Sequence, residues 1–540
     1  MKIQSFIPTI IIPLLFLSSG LLAQIVPVRD TLHTNSILAS VQSNGAFFQG
    51  GASGQFLVPT STGIAPEMSL IKSAGLWLGG RDAAGNLRLS AQLYNENGKT
   101  DFYPGVLIEG VGPYPEFNLI AKVTKDQVDA HKANPGSQIP AIYGWPARGN
   151  AYFSNYHGFD LPFQNHYLAG FYDKYYNGLY QPSSGDYPAV ELRGCLQNFY
   201  VDETLWFPFH DVGPHTQSGG TPMNQEVQAQ VFAFDCQEGS PVDRLVFAKY
   251  KFLNRDTLRL DSCYFGIFID FEIGNGGDDF IGCDETHRII YAYNGDDVDE
   301  GGFENSPPVM AVELLRGPLD TLGEEVTKWH FVPVDDANLN SPLEYYNLLT
   351  GRHTDGTPFP NNGLMYTGNP LDPAAWSEIS EGNTPGERKA LASFGPFTLL
   401  PGAVNELVLA YAWLRKGTSG SVADNLTILQ PTMAAARNVY YNCFELYDGC
   451  PANVSTGSPD AGLHLTVSPN PFSDWIMVES GEVPMQSAFL YDATGRLVRA
   501  IDAGENISLQ LQTGDLPPGF YSLEVRTKDG YSGVFKLVHE

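Results

Sequence analysis

Basic residues are scarce in this chain. Its 540 residues hold 31 Lys plus Arg against 60 Asp plus Glu, a formal net charge of −29 at pH 7. That balance excludes nucleic acid or an anionic membrane as the main partner, because phosphate binding needs Lys and Arg. Recognisable catalytic signatures are missing too. There is no H-E-x-x-H, no G-x-S-x-G, no dinucleotide glycine fingerprint and no C-x-x-C, which withdraws support from the chemistries those spacings serve. Gly98-Lys-Thr100 resembles the end of a phosphate loop, but Leu93 stands where its first glycine belongs. Past the N-terminus no run is apolar enough to span a bilayer. Helical signals are few: Thr124–Ala133, capped at Thr124, and Ser421–Tyr447, whose Leu426, Leu429, Met433, Ala436 and Tyr440 keep near-helical spacing with Pro431 as an interruption.

What is plentiful is turn and strand material: 56 Gly, 38 Pro, 27 Tyr and 32 Phe. This predicts a mainly β protein, a β-sandwich-rich multidomain body of short strands joined by turns. Val246, Ala248, Tyr250 and Phe252 alternate with Leu245, Phe247, Lys249 and Lys251, the pattern of a half-buried strand. Val227–Phe234 is another. The N-terminus reads as a signal peptide over residues 1–23, with Lys2 as the positive end, Phe6–Leu17 as the apolar stretch and Ala23 before the cut. In an exported chain six cysteines suggest disulfides. Cys443 with Cys450 is the expected pair from proximity, and Cys263 with Cys283 is a second expectation.

Residues 24–450 form the body, of one or two subdomains. Residues 451–462 (PANVSTGSPDAG) read as a linker. Seven strand candidates follow between Leu463 and Val538, enough for a small immunoglobulin-like β-sandwich. Four motifs stand in order there: Val467-Ser-Pro-Asn-Pro-Phe472, Leu490-Tyr-Asp-Ala-Thr-Gly-Arg-Leu-Val498, Leu516-Pro-Pro-Gly-Phe-Tyr521 and Lys536-Leu-Val538. This order resembles the type A C-terminal sorting domain of the Bacteroidota type IX secretion system and covers residues 463–540. The resemblance implies that the outer-membrane export machinery is a partner, reached from the periplasm, and that the product ends secreted or on the outer cell surface. The body looks like a group of large exported proteins of the same phylum, through Ala74-Gly-Leu-Trp-Leu-Gly-Gly80, Gly185-Asp-Tyr-Pro188, Asp278-Asp-Phe-Ile-Gly-Cys-Asp284 and Tyr293-Asn-Gly-Asp296. That group has no settled biochemical activity.

Candidate chemistry concentrates at residues 270–300, where ten acids meet one strong base, Arg288. Asp270 and Glu272 share one strand face. Gly274–Gly277 follows, then Asp278, Asp279 and Asp284. Like charges this close repel unless neutralised, and Ca²⁺ accepts six to eight oxygens. The expected ligands are Asp270, Glu272, Asp278, Asp279 and Asp284, with Asp296 and Asp299 from the next loop. Asp173–Tyr180 resembles the start of a calcium loop, with Tyr175 where a donor belongs. His210, Asp211 and His215 offer a zinc or acid–base alternative. Three Asp-Thr-Leu triplets, at Thr31, Thr257 and Thr321, resemble a Bacteroidota O-glycosylation acceptor. The leading functional expectation is a calcium-stabilised binding or adhesion module for a glycan or other cell-surface ligand. The alternatives are a secreted hydrolase of polysaccharide or protein, and a structural surface component.

Overall fold

The computed structural model describes residues 25–444, apart from 52, 61–66, 109, 163–167, 176, 196–197, 237–239 and 241. It also describes residues 466–539, apart from 470–471, 481–483, 493–496, 505, 515 and 528–531. The signal-peptide and linker segments lie outside the described residues. The chain divides into two compact units, with the division at Asn453/Val454.

The body is mainly β. One antiparallel sheet runs in the order Ala121–Thr124, Glu203–His210, Gln225–Ala233, Leu245–Asn254, Val404–Leu414, Val309–Arg316, Ile289–Asn294 and Asp279–Asp284, with Tyr103–Pro104 paired beside Glu203–His210. A second sheet has the order Trp329–Pro333, Arg388–Leu399, Leu260–Phe271, Ile71–Asp82 and Leu87–Ala91. Their inner faces share one apolar core. Phe252 of the first sheet stacks on Phe265 of the second with ring centroids 4.0 Å apart. The outer face of the first sheet is covered as well. One part lies under the helices Val422–Thr427 and Leu429–Tyr441. Another lies under the segment around Val106–Tyr187, whose own core takes in Trp206.

Double coverage explains why Leu245–Asn254 is buried at every residue. Val246, Ala248, Tyr250 and Phe252 enter the inter-sheet core, and Leu245 and Phe247 enter the core beneath the helices. The alternation predicted a half-exposed strand; the helices close its other face. Both expected helical segments form. Thr124 N donates to Gln127 Oε1 at 3.0 Å, closing the first turn of Lys125–Ala133. The second segment breaks at Ile428, and Pro431 sits in the first turn of Leu429–Tyr441, where a missing N–H costs little.

The glycines of Ala74–Gly80 are packing devices. A Cβ on Gly79 would come within 2.8 Å of the Tyr346 ring, and one on Gly80 within 2.8 Å of Cys263 Sγ. The helix Pro342–Leu349 can therefore press directly onto the Ile71–Asp82 strand.

The expected cysteine pairs are not formed. Cys443 is bonded to Cys195, 248 residues away, because the loop after Leu192 folds over the end of Leu429–Tyr441. Cys450 lies outside the described residues. Cys236 is disulfide-bonded too. Cys263 and Cys283 are free thiols buried in the inter-sheet core, on strands of different sheets.

The second unit has the seven expected strands: Thr466–Ser468, Trp475–Glu479, Met485–Asp492, Leu497–Asp502, Ser508–Gln512, Gly519–Thr527 and Ser532–His539. They form a three-stranded and a four-stranded antiparallel sheet. Phe472, Ile476, Val478, Leu490, Leu523 and Leu537 fill the space between them.

Candidate functional site

The acidic segment folds as a strand end, a glycine turn and the following hairpin. Ile267, Ile269, Phe271 and Ile273 enter the core, as their spacing predicts. Asp270 lies on the opposite face of Leu260–Phe271 and is nonetheless buried. The Tyr94 hydroxyl donates to its Oδ2 at 2.6 Å, and its Oδ1 has no partner. Burial pushes its carboxyl up to about 7, against the pull of Tyr94 and Lys389.

Most of the other acids are engaged one by one. Asp299 accepts from Asn275 N at 3.0 Å and from Phe303 N at 2.5 Å. Gly274 (φ +66°) and Gly302 wrap so tightly around this carboxylate that a Cβ on either would lie 2.0 Å from Asp299 Oδ2. The glycines thus cage a side chain of the chain itself. Asp279, fully buried, accepts from Ile273 N at 3.0 Å. Asp296 accepts from Val298 N at 2.8 Å. Asp284 is bonded by His287 and Gln430. Among the described residues no three His, Cys, Asp or Glu side chains stand close enough together to hold a metal. The seven expected ligands therefore do not converge as one set. Asp270, Asp284 and Asp296 have other partners. Glu272, Asp278 and Asp299 each lie near enough to Asp279 to act on its charge. Burial raises the carboxyl of each, and Asp278, Asp299 and Glu272 push Asp279 further up. Asp278 Oδ1 and Asp279 Oδ1 are buried without a partner.

The other polar candidates are structural. His215 Nδ1 lies 2.7 Å from Leu89 O and Nε2 2.8 Å from Asp211 O. Both ring nitrogens face backbone carbonyls inside the fold, so neither is open toward a metal. Burial lowers His210 to about 4. Asp211 accepts from Ser90 Oγ, Met223 N and Gln225 N. Asp173 closes its own turn by accepting from Tyr175 N and Gly178 N.

A polar chamber escaped the sequence reading. Lys249 and Lys251 point to the outer face of the first sheet and are buried there. Lys249 faces Glu406 at 3.4 Å and Lys251 faces Glu191 at 2.7 Å. Burial lowers the Lys249 ammonium, against the attraction of Glu406. The adjoining cavity, lined also by Trp206, Gln228 and Gln230, measures about 10 Å³. That holds about one water and is too small for a sugar ring. Two lysines on alternate strand positions read as a solvated face; only the covering segment around Glu191 made them internal.

Residues 466–540 match the family model of the secretion system C-terminal sorting domain. The chain is a type IX secretion cargo. The sorting domain directs it out of the cell, to the surface or beyond. No helix among the described residues is long and apolar enough to cross a membrane. Among curated proteins none matches the chain. Among solved structures a polysaccharide lyase is similar over 65% of this chain and 38% of its own length, at 9% identity and a TM-score of 0.19. A likeness that small decides neither fold nor function. The sorting domain accounts for export and leaves the activity of the body to its own residues.

Proposed function

We propose that the exported body is a binding module for a glycan or another cell-surface molecule, stabilised by calcium. The observation that carries the reading is how its charged groups are used. Asp101, Asp211, His215, Lys249 and Glu406 are fixed to backbone groups or to one another inside the frame. None of them stands ready for acid–base work at an opening. Incubation with a panel of surface polysaccharides tests it: the module retains a ligand without cutting it. Release of shortened or unsaturated products would make the hydrolase or another cleaving activity the better reading.

The calcium part rests on Glu272, Asp278, Asp279 and Asp299, and on the two buried oxygens without partners. An extracellular protein meets Ca²⁺ at levels where a site of about 10⁻⁴–10⁻³ M can fill. Binding to the folded state alone adds stability, about 2.7 kcal/mol at a hundredfold excess over Kd. Calorimetry is expected to detect Ca²⁺ heat, and a chelator to lower the melting temperature. Asp278→Asn with Asp279→Asn should abolish both responses. Identical melting in chelator and in millimolar Ca²⁺ would leave protonation of Asp279 as the only relief of its charge.

A further inference from the structure

Asparagine is followed directly by glycine at Asn44, Asn97, Asn177, Asn275, Asn294 and Asn362, all among the described residues. Such a step carries a latent reaction. The glycine nitrogen can attack the asparagine side-chain carbonyl, and no Cβ on the glycine stands in the way. A nitrogen whose N–H already donates must first give that bond up. At all but one of these steps the bond is there. Gly45 N donates to Gln42 O at 2.9 Å, Gly295 N to Asp278 O at 2.6 Å and Gly363 N to Pro360 O at 2.9 Å. Gly178 N donates to Asp173 Oδ2 at 2.7 Å. Gly276 N donates to the Glu272 carboxylate.

Asn97–Gly98 is the exception. Lys99 N donates to Glu96 O at 2.9 Å, and both central residues have positive φ, +54° at Asn97 and +74° at Gly98. These are the marks of a type I′ turn, for which Asn-Gly is a preferred pair. The closing bond uses only the outer residues. Among the described residues neither Gly98 N–H nor the Asn97 side-chain amide has a hydrogen-bond partner, and both residues are exposed. The far end of the turn is pinned. Thr216 Oγ1 lies 2.8 Å from Gly98 O and accepts from Thr100 N at 2.8 Å. Thr216 belongs to the loop that caps the edge strand Leu87–Ala91, where Leu89 N donates to Thr221 O.

We propose that Asn97 is a site of spontaneous modification, converted to aspartate and isoaspartate through a cyclic imide with Gly98. Gly98 N gives its proton to solvent base and bonds to Asn97 Cγ. The Cγ–Nδ2 bond breaks and ammonia leaves. Water then opens the ring at either carbonyl carbon. One opening leaves aspartate; the other passes the main chain through the former side chain. The only reactant besides the chain is water. Either product adds a carboxylate to a chain whose net charge is already −29. The isoaspartyl product also adds a carbon to the turn and so loosens its pin to Thr216. Sparing one hydrogen bond of ordinary strength favours Gly98 over the other glycines by about tenfold.

Peptide mass mapping of the full chain, aged in mildly alkaline buffer made with heavy-oxygen water, tests the site. The Asn97 peptide is expected to take up solvent oxygen and to split into aspartyl and isoaspartyl forms, at about tenfold the rate of the other Asn-Gly peptides. In urea every glycine N–H is released, and all these steps should convert at comparable rates. Asp173→Ala frees Gly178 N–H and should raise conversion at Asn177 toward that at Asn97. In the aged folded chain, hydrogen exchange at Thr100 and Leu89 should be faster. Another Asn-Gly step converting first in the folded chain would overturn the proposal. So would an unchanged Asn97 in a chain whose steps all react in urea, an aspartyl product with no isoaspartyl form, or a rate at Asn177 that ignores Asp173→Ala.

Discussion

A buried acid whose charge is poorly compensated makes stability depend on pH, and Asp270 is such a group. Its folded pKa, about 7, lies above the ordinary value of 3.8. The folded state therefore holds the proton more tightly. The stabilisation is fully present below about pH 4 and is lost as pH rises through 7, with a ceiling of about 4 kcal/mol. Lys72, Glu387, Asp336, Tyr94 and Lys389 are the charged or titratable groups around it. Asp270→Asn keeps an acceptor for Tyr94 and removes the titration. The variant should be the more stable one at pH 8 and close to wild type at pH 4. Urea unfolding at the two pH values measures this. Equal differences at both would mean that Asp270 is ionised throughout.

Strand edges are closed by particular contacts. Asp279–Asp284 is the last strand of its sheet, and its outward N–H groups are all occupied. Asp279 pairs with Gly386, Ile281 N donates to Glu378 Oε1 at 3.0 Å, and Cys283 N donates to Tyr366 O at 3.1 Å. At the edge of the other sheet, Leu89 N donates to Thr221 O and Ala91 N to Asp101 Oδ2. Such capping discourages pairing with a second chain, which counts against assembly through these two edges. Glu378 also holds Arg388 through both of its oxygens. Glu378→Ala would leave a buried donor and a guanidinium without a partner, at a cost of about 3–5 kcal/mol. Glu378→Gln keeps an acceptor and should cost less. Denaturation together with faster hydrogen exchange at Ile281 checks the pair. An alanine variant as stable as wild type would show that the edge closes by other means.

At the scale of the molecule, export and activity belong to separate units. Deleting residues 463–540 should leave the body in the periplasm with its melting temperature little changed, since each unit has its own core. Fractionation and immunoblotting of the host check the location. Normal amounts of truncated protein in the medium would contradict carriage by the sorting domain. The body is tied through a long loop as well: closing Cys195 to Cys443 across 248 residues restricts the unfolded chain by about 5 kcal/mol on the loop-entropy account.

Local order was what the amino-acid sequence could determine. The seven sorting-domain strands, the Thr124 cap and the inward run Ile267, Ile269, Phe271 and Ile273 follow from alternation, turn residues and capping chemistry acting over a few positions. The composition of the acidic segment was equally plain, but its geometry was not. Whether ten acids surround one ion depends on which backbone N–H groups arrive from Asn275, Ile273, Val298 and Phe303, and those come from separate turns. Cys443 found Cys195 in place of its neighbour Cys450, and Lys249 became internal, for the same reason. Each outcome was decided when a distant segment was laid across a strand, because covering a face changes its solvent and its partners. Spacing along the chain carries no record of that event.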